Sequence, residues 1–475
     1  MQMAAIRRCV VAAILGLPLW AAARLPPEIF TALDRAKVPA EAMVVVVQEV
    51  GSARARLSWQ PDLPVNPASL TKLLTTYAAL ELLGPAWAWN TPVWLNGSVR
   101  DGVLEGDLVI KGTGDPKLVV ERLWLLLRRV QQLGVQEIRG DIVLDRSAFN
   151  VPPQHPGDFD NEPLRPYNVR ADALMLNYRA LSLAFVPDRE PALARVLAEP
   201  PLGGVAIDAT VPLHDGPCGD WRGILQADFS DPARVAFRGS YAAACADRHW
   251  SVAYPDPKSY DERLLAGLWQ QLGGKLGGVV REGVAPATRP SFESASPALS
   301  EVIREINKYS NNVMAQQLFL TLGLARGGVG SPDTAREALR TWMTERLGKP
   351  PFGTWIDNGS GLSRDTRLTA GLLARLLQSA WAGPVMSELM ASLPVSGLDG
   401  TMLRSRAVVG RAHLKTGSLR DVAAIAGYVL APSGRRLVVV GIINHPNANA
   451  ARPALEALVQ WAAGEGWTSS PTTAP

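Results

Sequence analysis

Ser69 and Lys72 stand three residues apart in PASLTKLLTTYAALELLG, residues 67–84. The apolar residues of this stretch recur at helical spacing, which predicts a helix over 67–84. Residues i and i+3 share a helix face, so the lysine amine can reach the serine hydroxyl. A serine needs a base within hydrogen-bond reach to act as a nucleophile, and a lysine with a lowered pKa can be that base. Alone, the spacing is also that of an ordinary surface pair.

Two further motifs carry hydroxyl, amide and ammonium groups. They are Ser310 and Asn312 in YSNNVMAQQL, and Lys415, Thr416, Gly417 and Ser418 in HLKTGSL. In the first, a second hydroxyl can relay a proton, and an amide can hold a substrate carbonyl or orient Lys72. The second lies on a predicted strand, where it offers a positive, hydrogen-bonding edge that a ligand backbone can approach closely at the glycine. Taken singly, they also fit a polar break between helices and an ordinary edge strand.

Histidine and metal chemistry have less support in the sequence. The histidines are scattered at His155, His214, His249, His413 and His445. A Ser-His-Asp triad is a spatial arrangement and stays open, but no Gly-x-Ser-x-Gly elbow accompanies it. Metal binding needs more ligands than the cysteines and scattered histidines supply, so we expect neither a metal nor another cofactor.

Length and composition indicate a globular protein with two or three domains. The chain has 475 residues, of which 47% are apolar and 19% charged, and its net charge is +4. No basic stripe with interleaved aromatic residues is present, which argues against nucleic-acid binding. The positive balance suits an anionic polymer or a membrane surface. Peripheral membrane association and a homodimer both stay open.

The N-terminus is typical of a secretory signal. Arg7 and Arg8 precede an apolar run, residues 9–20, and small residues follow at 21–23. We therefore predict a signal peptide at 1–23, which includes Cys9, and a periplasmic or exported mature protein; an uncleaved anchor is the alternative. Cleavage after Ala23 leaves two cysteines, Cys218 and Cys245, and whether they pair stays open.

The pattern along the chain predicts an α/β protein with an insertion. Strand patterns around AMVVVVQEV and helical patterns begin the chain, and helices followed by a β hairpin end it. Residues 24–95 and 286–475 are expected to form one domain. Residues 96–285 are turn-rich with short strand patterns, and they predict inserted β-rich domains, two of them and nested.

The order of the three motifs, Ser-x-x-Lys, Ser-x-Asn and Lys-Thr-Gly, is that of the penicillin-binding proteins and serine β-lactamases. Ser310 follows Ser69 by 241 positions, which leaves room for the insertion. The chain resembles the class C low-molecular-mass penicillin-binding proteins, the D-alanyl-D-alanine carboxypeptidase/endopeptidase family S13. Further matching segments are GDLVIKGTGDP, RGDIVLDRSAF, NKYSNNVMAQQL, DNGSGLSR and SLPVSGLDGTM. The resemblance implies a β-lactamase/transpeptidase-like domain, an antiparallel sheet with helices, interrupted between the first and second motifs.

The resemblance also implies roles for the motif residues. It makes Ser69 the acylated nucleophile and Lys72 its base, and it assigns the proton network to Ser310, Asn312 and Lys415. Thr416, Gly417 and Ser418 would bind the substrate carboxylate, and the N–H groups of Ser69 and Ser418 would form the oxyanion hole. The implied partners are peptidoglycan stem peptides ending in D-Ala-D-Ala and β-lactams, which trap the serine.

The segment DNGSGLSR matches the wall of the family's active site at Ser360, Gly361, Ser363 and Arg364. An ordinary Gly/Ser turn explains it equally well. Asn358 departs from the pattern, in which we expected glycine, and an asparagine is tolerated in a turn.

Two other functions remain open. A serine β-lactamase shares the three motifs but lacks the large insertion. A non-catalytic peptidoglycan-binding scaffold could keep the fold, although the intact motif residues argue against it.

Overall fold

The computed structural model describes residues 24–464 of the chain. The predicted signal peptide at 1–23, with Cys9, lies outside the described residues and stays a prediction. Within the described part, no helix is both long and apolar enough to cross a membrane. All residues of the three motifs fall in this part.

Helices and strands are numbered here in chain order. The strands are β1 (Met43–Glu49), β2 (Ala55–Trp59), β3 (Asn90–Arg100), β4 (Val103–Lys111), β5 (Glu137–Ile138), β6 (Ile142–Asp145), β7 (Ala180–Asp188), β8 (Leu193–Glu199), β9 (Ala206–Ile207), β10 (Thr210–His214), β11 (Ala227–Asp228), β12 (Arg234–Phe237), β13 (Tyr241–Ala242), β14 (Arg248–Ala253), β15 (Lys275–Leu276), β16 (Val280–Glu282), β17 (Phe292–Ala295), β18 (Ala412–Leu419), β19 (Val422–Leu430) and β20 (Arg436–Asn444). The α-helices are α1 (Pro27–Arg35), α2 (Thr71–Leu82), α3 (Val120–Gln132), α4 (Trp221–Leu225), α5 (Pro257–Gln271), α6 (Leu299–Lys308), α7 (Asn312–Gly327), α8 (Pro332–Leu347), α9 (Ala370–Ala382), α10 (Met386–Ser392) and α11 (Arg452–Gly464).

Strands from both ends of the chain form one antiparallel sheet in the order β18–β19–β20–β1–β2. On β1, Val44 and Val46 pack into the core that contains α2 and α9, whereas Val45 and Val47 pack into the core that contains α1 and α11. A strand covered on both faces reads as a continuous apolar run, which explains the unbroken valines. The predicted α/β fold with an antiparallel sheet and helices is confirmed, and the strands of this sheet come from both ends of the described chain.

Helix α2 lies at the centre of the helical layer, where every residue from Thr71 to Leu80 is buried. It is shorter than the helix predicted over 67–84. A 3-10 turn, Ala68–Leu70, precedes it, and Ala68 has a φ of 47°. This left-handed conformation is incompatible with an α-helix, so the helix cannot begin before Ser69.

The inserted part runs from β3 to β17, after the first motif and before the second. Seven strands, β3 to β6 and β15 to β17, form one sheet, in which β3 pairs with β17. The strands between β6 and β15 form a five-stranded sheet, β13–β10–β8–β7–β14, and a three-stranded sheet, β11–β12–β9. The prediction of β-rich structure inserted between the first two motifs is confirmed.

A disulfide joins Cys218 and Cys245 in the inner part of this insertion, which resolves the pairing that the sequence left open. The core there is small and centres on Phe185, which stacks on Tyr241 at 5.5 Å. A small core buries little apolar surface and therefore stabilises this part only modestly. The disulfide adds to its stability.

Polar contacts attach the insertion to helix α7. Arg146 and Arg179 each form ion pairs with Asp172 and Asp261. Gln317 of α7 accepts a hydrogen bond from the Asp172 backbone N–H (2.9 Å) and donates to its carbonyl oxygen (2.8 Å). Since α7 begins at the second motif, these contacts fix the insertion relative to the predicted site.

Candidate active site

Ser69 lies in the 3-10 turn that leads into α2, with its side chain facing a cleft. The turn is held by Asn66, whose Oδ1 accepts from the Ala68 N–H at 2.9 Å and whose Nδ2 donates to the Ser363 carbonyl at 2.9 Å. Ala68 itself sits in the left-handed region, a conformation that costs energy in a non-glycine residue and that clusters at functional sites. The backbone around Ser69 is therefore held in one geometry.

Lys72 is fully buried in the first turn of α2 and contacts three oxygen atoms. Its Nζ lies 3.0 Å from Ser69 Oγ, 2.6 Å from Asn312 Oδ1 and 2.6 Å from the Ser360 carbonyl oxygen. Burial, and then the positive charge of Lys415, hold the pKa of Lys72 well below its ordinary value. The predicted lysine–serine contact is present, and the environment favours the neutral amine.

Ser310 and Asn312 lie where α6 ends and α7 begins. Ser310 has a φ of 57°, a left-handed conformation that breaks the helix between Lys308 and Asn312 and turns its hydroxyl toward the cleft. Asn311 caps α7 by accepting from the Met314 N–H at 3.0 Å. The predicted polar break between two helices thus exists, and it is also the feature that presents the second motif.

Lys415 is fully buried on β18. Its Nζ donates to Ser310 Oγ at 3.0 Å and to the Thr416 carbonyl oxygen at 2.8 Å. Burial lowers the pKa of Lys415 to about 7. The five residues predicted to be catalytic therefore form two hydrogen-bonded groups. Lys72 contacts Ser69 and Asn312, and Lys415 contacts Ser310.

Neutral oxygen atoms surround both Lys72 and Lys415. The lysines that pair with carboxylates within residues 24–464 are Lys111, Lys117 and Lys308. Two buried ammonium groups without a counterion would repel each other and would both pay the cost of desolvation. The arrangement therefore favours a state in which the pair carries a single positive charge.

The remaining residues of the third motif edge the cleft. Thr416 Oγ1 donates to Thr401 Oγ1 at 2.8 Å. A Cβ added at Gly417 would lie 2.8 Å from the Pro67 carbonyl oxygen, so a glycine is required for β18 to approach the turn that carries Ser69. Ser418 is exposed, and its Oγ accepts from Arg452 at 2.8 Å.

The DNGSG loop, residues 357–361, contacts Lys72 through a backbone atom and not through a side chain. Its Ser360 carbonyl oxygen accepts from Lys72. Gly361 has a φ of 77°, and an added Cβ there would stand 1.9 Å from the Ala68 carbonyl oxygen. Asn358, which departs from the expected pattern, accepts from the Ser360 N–H at 3.1 Å and donates to the Leu362 carbonyl at 2.8 Å. The asparagine therefore shapes the loop that holds Lys72.

The cleft has a volume of about 1070 Å³ and is lined by residues from both parts of the fold. Phe159, Asp160 and Tyr167 of the inserted part form one wall. Phe159 packs over the guanidinium of Arg364 at 4.7 Å, and Arg364 pairs with Asp421 at 3.0 Å. Sequence reasoning missed this wall, because the segment is turn-rich and has no periodicity.

No histidine hydrogen-bonds Ser69 among the described residues; His214, for example, contacts Ser240, and His413 contacts the Met390 carbonyl. The described part of the chain also holds no cluster of three or more His, Cys, Asp or Glu side chains that could bind a metal ion. The geometry thus favours lysine-assisted serine chemistry over the triad alternative.

Comparison with known proteins agrees with lysine-assisted serine chemistry. The model of the D-Ala-D-Ala carboxypeptidase 3 (S13) family matches residues 29–465. A D-alanyl-D-alanine carboxypeptidase of Actinomadura sp. (strain R39) is 28% identical over 440 residues, which cover 87% of this chain and 79% of that protein.

Solved structures share the fold. Penicillin binding protein 4 (dacB) from Haemophilus influenzae superimposes with a TM-score of 0.75 at 21% identity, covering 93% of this chain and 99% of that one. The same protein complexed with a novel β-lactam gives a TM-score of 0.71 at 20% identity, covering 94% and 100%. Because the family model spans nearly the whole described chain, this protein belongs to the D-Ala-D-Ala carboxypeptidase 3 (S13) family.

Proposed function

We propose that this protein is a serine-type D-Ala-D-Ala carboxypeptidase that acts on peptidoglycan stem peptides through an acyl-enzyme on Ser69. The observation that carries the proposal is the 3.0 Å contact between Lys72 Nζ and Ser69 Oγ, made by a buried lysine whose pKa lies well below its ordinary value. Family membership supports the same reaction.

Lys72 acts as the general base in this proposal. A neutral amine has two N–H groups and one lone pair. Asn312 Oδ1 and the Ser360 carbonyl oxygen can only accept hydrogen bonds, so they take the two N–H groups. The lone pair is left for Ser69, the neighbour with a hydroxyl proton to give.

The acylation step joins Ser69 Oγ to the carbonyl carbon of the penultimate D-alanine, and the serine proton passes to Lys72. The N–H groups of Ser69 and Ser418 stabilise the oxyanion. Collapse of the intermediate breaks the C–N bond, and the departing D-alanine nitrogen takes the hydroxyl proton of Ser310, which Lys415 contacts. The proton that Lys72 took from Ser69 replaces it, so Lys72 is neutral again and Lys415 keeps its charge. Water then hydrolyses the ester and releases the shortened peptide.

Substrate recognition is assigned to the exposed edge of β18. Thr416, Gly417 and Ser418 line the cleft beside Ser69. Hydroxyl groups and a close backbone approach suit the terminal carboxylate of an extended peptide, and Lys415 adds positive charge behind them.

Mass spectrometry after incubation with benzylpenicillin tests the nucleophile. We expect one covalent adduct with the mass of the intact drug, located on the peptide that contains Ser69. Ser69→Ala should give no adduct, whereas the neighbouring substitution Ser58→Ala, on β2, should leave labelling intact. An adduct on another residue would overturn the assignment.

The same experiment separates the alternatives. A slow loss of the adduct, together with release of D-alanine from a D-Ala-D-Ala peptide, fits the carboxypeptidase. Rapid hydrolysis of the drug would instead identify a serine β-lactamase. A folded wild-type protein that neither forms an adduct nor releases D-alanine would be a non-catalytic scaffold.

DD-endopeptidase activity on peptide crosslinks is a second candidate reaction. It uses the same acyl-enzyme and differs in the amine that leaves. The cleft of about 1070 Å³ has room for it, although a crosslink carries a bulkier leaving group than free D-alanine. Release of monomeric stem peptides from a purified crosslinked dimer is the measurement.

Export and domain division are also proposed. The Cys218–Cys245 disulfide supports an oxidising compartment, and the mass of the mature protein would test cleavage after Ala23. The pairing of β3 with β17 supports an insertion with ends near Asn90 and Ala295, outside the predicted 96–285 at both ends.

Peripheral membrane association and a homodimer are independent proposals that rest on charge and family resemblance. Co-sedimentation with anionic vesicles tests the first, and light scattering of the purified mature protein tests the second.

A further inference from the structure

We propose that Arg452 is a specificity-determining residue that recognises the free terminal carboxylate of the stem peptide and so favours removal of terminal D-alanine over cleavage of crosslinks. Nothing in the three motifs points to this residue. The inference rests on the proposed carboxypeptidase function and names a residue that decides which peptide ends the site prefers.

Arg452 is the first residue of α11 and lines the cleft that contains Ser69. One guanidinium nitrogen, Nη2, donates to Ser418 Oγ at 2.8 Å and to Asn449 Oδ1 at 2.9 Å. The C-terminal helix thus brings a fixed guanidinium to the strand edge where we place the substrate carboxylate.

Asn449 holds this contact in register. Its Nδ2 donates to the carbonyl oxygens of Leu419 and Arg420 at 2.9 and 3.0 Å, where β18 ends. Asn449 therefore ties the start of α11 to the end of β18, and the position of Arg452 relative to Ser418 does not depend on one flexible side chain alone.

Arg452 forms no ion pair among residues 24–464. Both of its hydrogen-bond partners are neutral oxygens, and across residues 24–464 no carboxylate lies within ion-pair distance of its guanidinium. Arg364, in the same cleft, differs because Asp421 neutralises it at 3.0 Å. An arginine that is ordered, cation-bearing and without a counterion is suited to an anionic ligand.

The hydroxyl contacts favour binding of the carboxylate beside Ser418 over binding beside Thr416. Ser418 Oγ accepts from Arg452, so the serine's own O–H proton remains available to a ligand. The hydroxyl of Thr416 is already engaged as a donor to Thr401. Ser418 and Arg452 together then offer a carboxylate one O–H and the unused guanidinium N–H groups.

Arg452 is better placed than Lys415 to contact a carboxylate directly at this edge. Its ammonium is buried and directed to Ser310 and the Thr416 carbonyl, and burial brings its pKa to about 7. An arginine keeps its charge throughout the physiological range. Arg452 can therefore bind the carboxylate whether or not Lys415 carries a proton.

The test compares two probes that differ only at the C-terminus: N-acylated L-Lys-D-Ala-D-Ala as the free acid and as its C-terminal amide. In the wild type we expect kcat/KM to be higher for the acid. Arg452→Gln should raise KM for the acid about 10- to 100-fold, the range of a charge-assisted hydrogen bond. The same substitution should change kcat/KM for the amide less than about twofold.

Two further variants serve as controls. Arg452→Lys keeps the charge and should restore part of the preference for the acid. Arg411→Gln removes one exposed arginine just before β18 and outside the cleft, and it should leave both KM values unchanged. Melting temperatures confirm that all variants are folded.

The outcomes distinguish the inference from the function beneath it. If wild-type protein releases D-alanine and Arg452→Gln loses activity equally on acid and amide, or on neither, the role of Arg452 is wrong while the carboxypeptidase assignment stands. If wild-type protein releases no D-alanine from the acid probe, the proposed function fails, and the inference fails with it.

Discussion

Lys72 Nζ lies 2.6 Å from the backbone carbonyl oxygen of Ser360, a residue 288 positions later in the chain. In the neutral amine that the proposed mechanism requires, this carbonyl and Asn312 Oδ1 accept the two N–H groups, and the lone pair is left for Ser69. The chemistry of the serine thus depends on the position of a loop that contributes no side chain to the lysine.

Gly361→Ala should disrupt that loop. The residue has a φ of 77°, and the new Cβ would stand 1.9 Å from the Ala68 carbonyl oxygen, so the loop must move away from the turn that carries Ser69. We expect acylation by a fluorescent penicillin to slow at least about tenfold and unfolding free energy to fall by about 1–3 kcal/mol.

The matched control is Gly84→Ala. Gly84 has a φ of 84° but nothing within 4 Å of the added Cβ. It should therefore show the left-handed backbone cost of about 1–2 kcal/mol with an unchanged acylation rate. Equal acylation rates in the two variants would contradict the role given to the Ser360 loop.

A bell-shaped dependence of acylation on pH is expected from the two lysines. The base Lys72 must be neutral, so the rate should rise as pH increases through its lowered pKa. Lys415 must keep its proton, and the rate should fall as pH increases through about 7. Because the two lysines interact, the apparent pKa on each side of the profile describes the pair and not one lysine. In Lys415→Arg the fall in rate should move to higher pH. An unchanged profile would argue against a protonated Lys415.

Stability should follow the same titration with a definite sign. The folded pKa of Lys415, about 7, lies below the ordinary lysine value of about 10.4. Between these values the unfolded chain binds more protons than the folded one, so the unfolding free energy rises with pH. Lys415→Met lacks this term, and its stability relative to the wild type should therefore be greatest near pH 7 and decline toward pH 10 in urea titrations.

The sequence was sufficient for the parts of the site that are made by side chains in recognisable spacings. Ser69 with Lys72, and Lys415 on a strand, could be predicted because residue type and period are visible in the printed chain. The distance between Lys72 and Asn312 could not, but the order of the motifs indicated that they meet.

Other parts had no such signature. Every residue has a carbonyl, so nothing marked that of Ser360 as a ligand of Lys72. Arg452 stands 34 positions beyond Ser418, and the contact exists only because α11 packs against the sheet. The cleft wall around Phe159 and Tyr167 comes from a segment whose turns carry no period, so its position depends on tertiary packing alone.

The ion pair of Lys308 and Asp399 lies beside the third motif. Lys308 is nearly buried at the end of α6, and its Nζ lies 2.6 Å from Asp399 Oδ2. Asp399 also accepts from the Val395 N–H at 2.7 Å, and two residues later Thr401 accepts from Thr416. The pair therefore anchors the loop that supports Thr416 of the third motif.

Asp399→Asn should leave the buried ammonium of Lys308 without a counterion. Because Asp399 is partly exposed, we expect a modest loss of about 1–3 kcal/mol in unfolding free energy. The KM for a D-Ala-D-Ala peptide should rise several-fold while the rate of acylation at saturation changes less. Glu337→Gln, which breaks the exposed pair with Arg340, should change neither quantity. A fall in kcat without any change in KM would contradict the positioning role.

The Cys218–Cys245 disulfide should stabilise the inner part of the insertion without affecting the chemistry at Ser69. It closes a segment with a sequence separation of 27 residues, for which the chain-entropy estimate is about 3.5 kcal/mol. The double variant Cys218→Ser/Cys245→Ser should therefore exchange the amide hydrogens of β7 and β14 faster than the wild type. These strands belong to the core around Phe185, and the cleft does not include them, so penicillin acylation should proceed at the wild-type rate.

Adding a reductant should speed amide hydrogen exchange in the wild type and have no further effect on the double variant. A slower acylation in the double variant would mean that the inner part transmits its stability to the cleft wall formed by Phe159 and Tyr167.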